Sequence, residues 1–127
     1  MTCYHPLRAA QLREGEKIRI NPPHAETNMQ IPCGKCIGCR VARAAQWGNR
    51  CMHEASCYDH NRFVTLTYDD AHLPPNGFLD KTHLSKFLKK LRKKFPHNKL
   101  RFFAAGEYGE QTARPHYHLI LFNYRLS

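Results

Sequence analysis

The residue types and spacings with chemical potential sit near one end of this sequence. His116 and His118 stand at i and i+2 in RPHYHLILF, and an apolar run follows at once. On a β-strand that spacing puts both imidazoles on one face, with Ile120 and Phe122 farther along it. Tyr117, Leu119 and Leu121 then point the other way. With apolar residues on both sides, the strand is expected to be central and covered. The preceding LRFFAAGE ends on Glu107. If residues 100–107 and 116–122 pair as a hairpin around a 108–115 loop, a simple register sets 107 opposite 116 and 105 opposite 118. Glu107 would lie beside His116, and the small Ala105 would leave space beside His118. Two nitrogens and a carboxylate oxygen with open positions suit a divalent ion, Mn²⁺ or Mg²⁺, acting as a Lewis acid. A hydrogen-bonded structural histidine pair is the competing reading. Glu110 is a rival ligand that falls in the loop.

A second cluster is CGKCIGC, with Cys33, Cys36 and Cys39 two residues apart and Gly34 and Gly38 between them. Such thiolates suit Zn²⁺, which takes four ligands in structural sites. Cys3 is the first choice for the fourth, and His5 the second. Either would tie the N-terminal segment to the first helix. An iron–sulfur cluster and plain reduced thiols are the alternatives. Cys51 and Cys57 fall on the expected helix and read as packing residues. The N-terminus lacks the apolar core of a signal peptide, and no run approaches the ~20 apolar residues of a membrane span. The six cysteines are therefore expected in a reducing compartment, as metal ligands or thiols before disulfides.

The chain has 127 residues, 42% of them hydrophobic, which allows one domain with a modest core. Lys and Arg number 20 against 10 Asp and Glu, a formal net charge of +10. That excess favours a polyanion, nucleic acid or an anionic surface. Arg40, Arg43 and Arg50 on the first helix are candidate phosphate contacts, as are Lys86, Lys89, Lys90 and Lys93 on the second, and Arg114. Tyr108 and Phe78 are candidates for base stacking. A solvated basic face is the bland alternative.

The elements that must hold these residues follow from pattern. The first ~30 residues are loop-like, broken by Pro6, Pro22, Pro23 and Pro32, with one short strand at 17–20. A helix is expected from Arg40 to about Tyr58, with Val41, Ala44, Ala45, Cys51 and Ala55 as its inner stripe. FVTLTY, 63–68, reads as a strand. Asp80 is an N-cap for a helix whose Leu84, Phe87, Leu88, Leu91 and Phe95 make one apolar face and which Pro96 stops. Strands at 100–107 and 116–122 complete an α+β layer, an antiparallel sheet with helices packed on it. Residues 1–39 form a cysteine-rich N-terminal segment and 40–127 the main domain.

RPHYHLILF resembles the histidine–hydrophobic–histidine motif of the HUH endonucleases, initiators of rolling-circle replication, and FVTLTY resembles their first motif. PCGKCIGCR, QWGNRCMHEAS, FVTLTYDDAHLP, AAGEYGE and RPHYHLILFN together resemble the replication initiators of gokushovirus-type microviruses, small single-stranded DNA phages. The resemblance runs from Cys3 to Asn123. It implies an HUH-like nuclease domain and a metal held by His116, His118 and Glu107. It also implies that a tyrosine nicks single-stranded origin DNA, leaving a 5′-phosphotyrosine and a free 3′-OH. In that family the tyrosine lies on a helix well downstream of the HUH strand, whereas this sequence ends at Ser127. No nucleophile is assigned, the sheet is expected to be incomplete, and the sequence reads as the N-terminal part of a longer initiator or a truncated frame. Viral origin DNA and host replication proteins are the expected partners, with no membrane, in the cytoplasm of a bacterial host. A non-catalytic, zinc-containing nucleic-acid-binding module is the alternative.

Overall fold

The computed structural model describes residues 3–125. Strands β1 (Leu7–Ala10), β2 (Arg19–Ile20) and β3 (Met29–Ile31) come first, with one turn of 3₁₀ helix at His24–Glu26. Helix α1 (Ile37–Ser56), strand β4 (Asn61–Leu66), helix α2 (Lys81–Lys94) and strands β5 (Arg101–Tyr108) and β6 (Pro115–Phe122) follow. The chain divides into two compact units, and the division falls inside α1, between Arg50 and Cys51.

The first unit holds an antiparallel sheet of order β2–β1–β3. Only the Arg19–Ile20 part of the expected 17–20 strand forms, and β1 and β3 occupy ground expected to be loop. Their strands are too short for alternation to show, and ladder partners rather than side-chain pattern define them. Asn28 fastens the sheet's end by a reciprocal pair: its Oδ1 accepts from the Gln11 amide at 3.1 Å and its Nδ2 donates to the Gln11 carbonyl at 2.8 Å.

Helix α1 begins three residues before Arg40, so Gly38 and Cys39 lie in its first turn and are buried. The expected inner stripe is not one: Val41 is 62% exposed, and Ala44 and Ala45 are exposed too. A helix rich in Ala and Arg is carried by intrinsic propensity and can form without a buried stripe.

The second unit is built on an antiparallel sheet of order β4–β6–β5, so β6 is central as expected. The hairpin register also matches, with Glu107 opposite His116 and Ala105 opposite His118. Tyr117, Leu119 and Leu121 point into a core closed by Leu88 and Leu100, with Leu84, Phe87 and Leu91 of α2 packed against it. Leu119 and Leu121 are fully buried, which stabilises by ~1.5–3 kcal/mol each. Asp80 caps α2 as its sequence suggests, accepting from the Thr82 amide at 2.8 Å.

The expectation that β6 is covered on both faces is corrected. Its other face carries His116, His118 and Ile120, all only half-buried, and neighbouring Phe63 is 69% exposed. The apolar residues there lie opposite one another across the strands, Phe63 and Phe103 flanking Ile120, and cover themselves in part.

Candidate metal centre

Alternation along β6 places the two imidazoles on the open face while their neighbours build the core. Glu107 reaches them from β5. Its Oε2 lies 2.9 Å from His118 Nε2 and 3.3 Å from His116 Nε2. The two rings stand edge to face, 4.9 Å between centroids. One donor atom from each residue falls within 4.8 Å of the others.

The far nitrogens are engaged as well. His116 Nδ1 lies 3.2 Å from the Arg114 carbonyl, an acceptor only, so Nδ1 carries the proton and Nε2 keeps its lone pair for the site. His118 Nδ1 faces the Thr65 hydroxyl of β4 at 3.1 Å. Outer partners of this kind fix ring orientation and tautomer in metal-binding histidines. The ring of Phe63 stacks on His118 at 5.7 Å and 22°. Glu110 sits in the exposed turn and outside this group.

Other side chains build the surroundings rather than the centre. Arg114 donates to Asp70 at 2.8 Å and to the Tyr68 carbonyl at 2.9 Å, which ties the loop after β4 to the start of β6. The Tyr108 hydroxyl accepts from the Leu79 amide, while its ring remains 43% exposed. Phe78 is exposed. Tyr117 donates to the Asp80 carbonyl at 2.7 Å on the core side. Burial pushes the Tyr68 phenol up to about 12, and its hydroxyl meets His83 Nδ1 at 2.8 Å. Tyr124, expected on the histidine side by parity, instead packs on the core cluster and meets Phe95 edge-on. Asn123 adopts a left-handed φ of 59°, which ends the alternation.

Lys86, Lys89, Lys90 and Lys93 are exposed on α2. Because α2 packs on the core face, they lie on the opposite side of the sheet from His116 and His118. The sequence suggests one basic surface; the fold separates these lysines from the histidines.

In the first unit Arg40, Arg43 and Arg50 are exposed. Arg43 reaches the Gly34 carbonyl at 3.5 Å and Arg50 lies over the Trp47 ring. The sulfurs of Cys3, Cys33, Cys36 and Cys39 converge within 4.8 Å, the second donor cluster among the described residues. Donation from the Tyr4 amide leads in holding the Cys36 thiol down at about 6. The Cys36 and Lys35 amides lower Cys33, and burial pushes Cys39 up to about 12. Cys51 is half-buried and Cys57 exposed, the latter against the expectation of packing.

A family model for replication-associated proteins of the ORF2 type matches residues 61–126. The chain belongs to this family. The matched stretch contains β4, α2, β5 and β6, and so both histidines, Glu107 and Thr65. The replication-associated protein ORF2 of Spiroplasma virus 4 is 39% identical over 97% of this chain and 45% of its own length. The replication-associated protein VP4 of Bdellovibrio phage phiMH2K is 34% identical over 98% of the chain and 42% of its own. Replication-associated protein ORF4 of Chlamydia phage 1 is 35% identical over 75% and 24%. The chain spans less than half the length of these relatives. No solved structure matches it.

Within this replication-associated segment, Phe63 and Thr65 are the site residues that sequence reasoning passed over. Both sit in FVTLTY, and register could have found them: Phe63 faces Ile120 and Thr65 faces His118. Among the described residues, no helix is long and apolar enough to cross a membrane.

Proposed function

We propose that the chain is the metal- and DNA-binding part of an HUH-type rolling-circle replication initiator of the gokushovirus-type microviruses. The observation that carries this reading is the convergence of Glu107, His116 and His118 on the open face of a sheet from a replication-associated protein family. The donor set fits a divalent ion such as Mn²⁺ or Mg²⁺: mixed nitrogen and oxygen atoms on one side, solvent on the other. Such an ion, held by these three side chains, would act as a Lewis acid on a phosphodiester oxygen.

The chain's own residues do the rest. Arg114 and Thr65 hold the rings in their tautomers and angles. Phe63, exposed and parallel to His118, offers a stacking surface for an unpaired base next to the site. The nucleophile lies elsewhere in the longer protein: the hydroxyls of Tyr68, Tyr108 and Tyr117 are bonded to His83, Leu79 and Asp80, away from the histidines. Single-stranded viral origin DNA is the substrate, host replication proteins are the partners, and the bacterial cytoplasm is the setting.

The test is a nicking assay with Mn²⁺ on single-stranded origin DNA, using a full-length replication protein that carries this segment. Cutting that His116→Ala abolishes, with an unchanged unfolding midpoint, supports the reading. Retained cutting in that variant overturns it. DNA binding without cutting in the unmutated protein would leave a binding module instead.

A further inference from the structure

The first unit raises a different question, independent of nicking: what holds it together. Its buried apolar residues are Ala9, Ala10 and Cys39, none of them large. The β1–β2 pairing has two residue pairs and β1–β3 three. So little apolar burial does not offset the entropy of ordering a segment of this size, and small units of this kind need a staple.

The cysteine cluster has the form of one. Cys36 Sγ lies 3.8 Å from Cys3 Sγ, and Cys33 Sγ lies 4.0 Å from Cys39 Sγ. A tetrahedron with metal–sulfur bonds of ~2.3 Å has edges of about 3.8 Å, so these gaps are those of sulfurs around one ion. Backbone amides are already turned toward the sulfurs. Those of Lys35 and Cys36 donate to Cys33, those of Tyr4 and Cys39 donate to Cys36, and that of Cys33 donates to Cys3. Gly34, at φ +75°, makes the turn that brings Cys36 back beside Cys33. Cys3 comes from ahead of β1 and the other three from the stretch between β3 and the first turn of α1.

We propose that Cys3, Cys33, Cys36 and Cys39 form a structural Zn²⁺ site whose occupancy folds the first unit, while β4–β6 and α2 fold without it. Zinc binding free energy is then folding free energy for residues 3–50.

Metal analysis and hydrogen exchange on the whole 127-residue chain test this. One equivalent of zinc should co-purify, and Co²⁺ in its place should give thiolate charge-transfer and tetrahedral d–d bands. Chelation should remove amide protection from β1 and β3 and leave it in β5 and β6. Cys36→Ser should lose the bands; Cys57→Ser should keep them. A metal-free chain that gives no cobalt bands overturns the proposal, as does iron with acid-labile sulfide. Undiminished protection of β1 and β3 after chelation overturns the folding role, whatever the cysteine variants do.

Discussion

The Thr65 hydroxyl on β4 lies 3.1 Å from Nδ1 of His118 on β6, directly across the ladder. It is the outermost link of a chain that runs from Thr65 through the imidazole to Glu107. Thr65→Val keeps the β-branched shape and removes the hydrogen bond. Mn²⁺ affinity, measured by calorimetry on the 127-residue chain, should fall ~10–100-fold. Thr65→Ser should restore most of it. Equal affinity in Val and wild type would show that the ring needs no outer partner.

Two parts of the DNA surface should respond differently. Replacing Lys86, Lys89, Lys90 and Lys93 together with Gln removes charges from the far side of the sheet. Affinity for single-stranded DNA should fall, and the slope of log affinity against log salt should shrink by ~0.7 for each phosphate no longer neutralised. Phe63→Ala should instead weaken binding by ~1–3 kcal/mol with the slope unchanged. Fluorescence anisotropy over a salt series measures both, and Mn²⁺ affinity should hold in the lysine variant. An unchanged slope there would mean that DNA never reaches α2.

Gly106 is where the loop before α2 comes closest to the sheet. A Cβ there would stand 2.7 Å from Leu79 Cδ1. Leu79 is also held by its amide bond to Tyr108, so it has little freedom to retreat. Gly106→Ala should destabilise by ~1–3 kcal/mol in denaturant unfolding. Gly106→Ala combined with Leu79→Ala should recover part of the overpacking loss.

The α2 cap should show in the pH dependence of stability. The Thr82 hydroxyl and amide hold the Asp80 carboxyl below the usual carboxylate range. His83, 3.6 Å away, and Lys86 add to this. A pKa lowered by folding contributes stability that is present above the unfolded value of ~3.9 and lost as pH falls through the folded one. The gap in melting temperature between wild type and Asp80→Ala should be full near neutrality and close in acid. A gap independent of pH would mean that the carboxylate charge plays no part.

The second unit was largely legible. Its strands carry β-branched and aromatic runs, α2 carries a clean apolar face behind an Asp cap, and hairpin geometry set Glu107 against His116. The first unit was not legible, because strands of two to four residues carry no periodicity and their partners are distant in sequence. The exposure of the histidine face was misread because an apolar residue opposite another apolar residue covers itself in part. Thr65 and Phe63 were missed for a related reason: a residue's neighbour across a ladder is a property of register, not of its own spacing. Tyr124 was misplaced because a left-handed Asn123 leaves no trace in an alternation count.

Strand β6 divides its side chains between two duties, one parity filling the interior and the other facing solvent with nitrogen donors. A single inserted or deleted residue inside it would exchange the two sets, sending imidazoles inward and leucines to water. Length variation should therefore collect in the turn around Glu110, where a residue more or less alters only the bend.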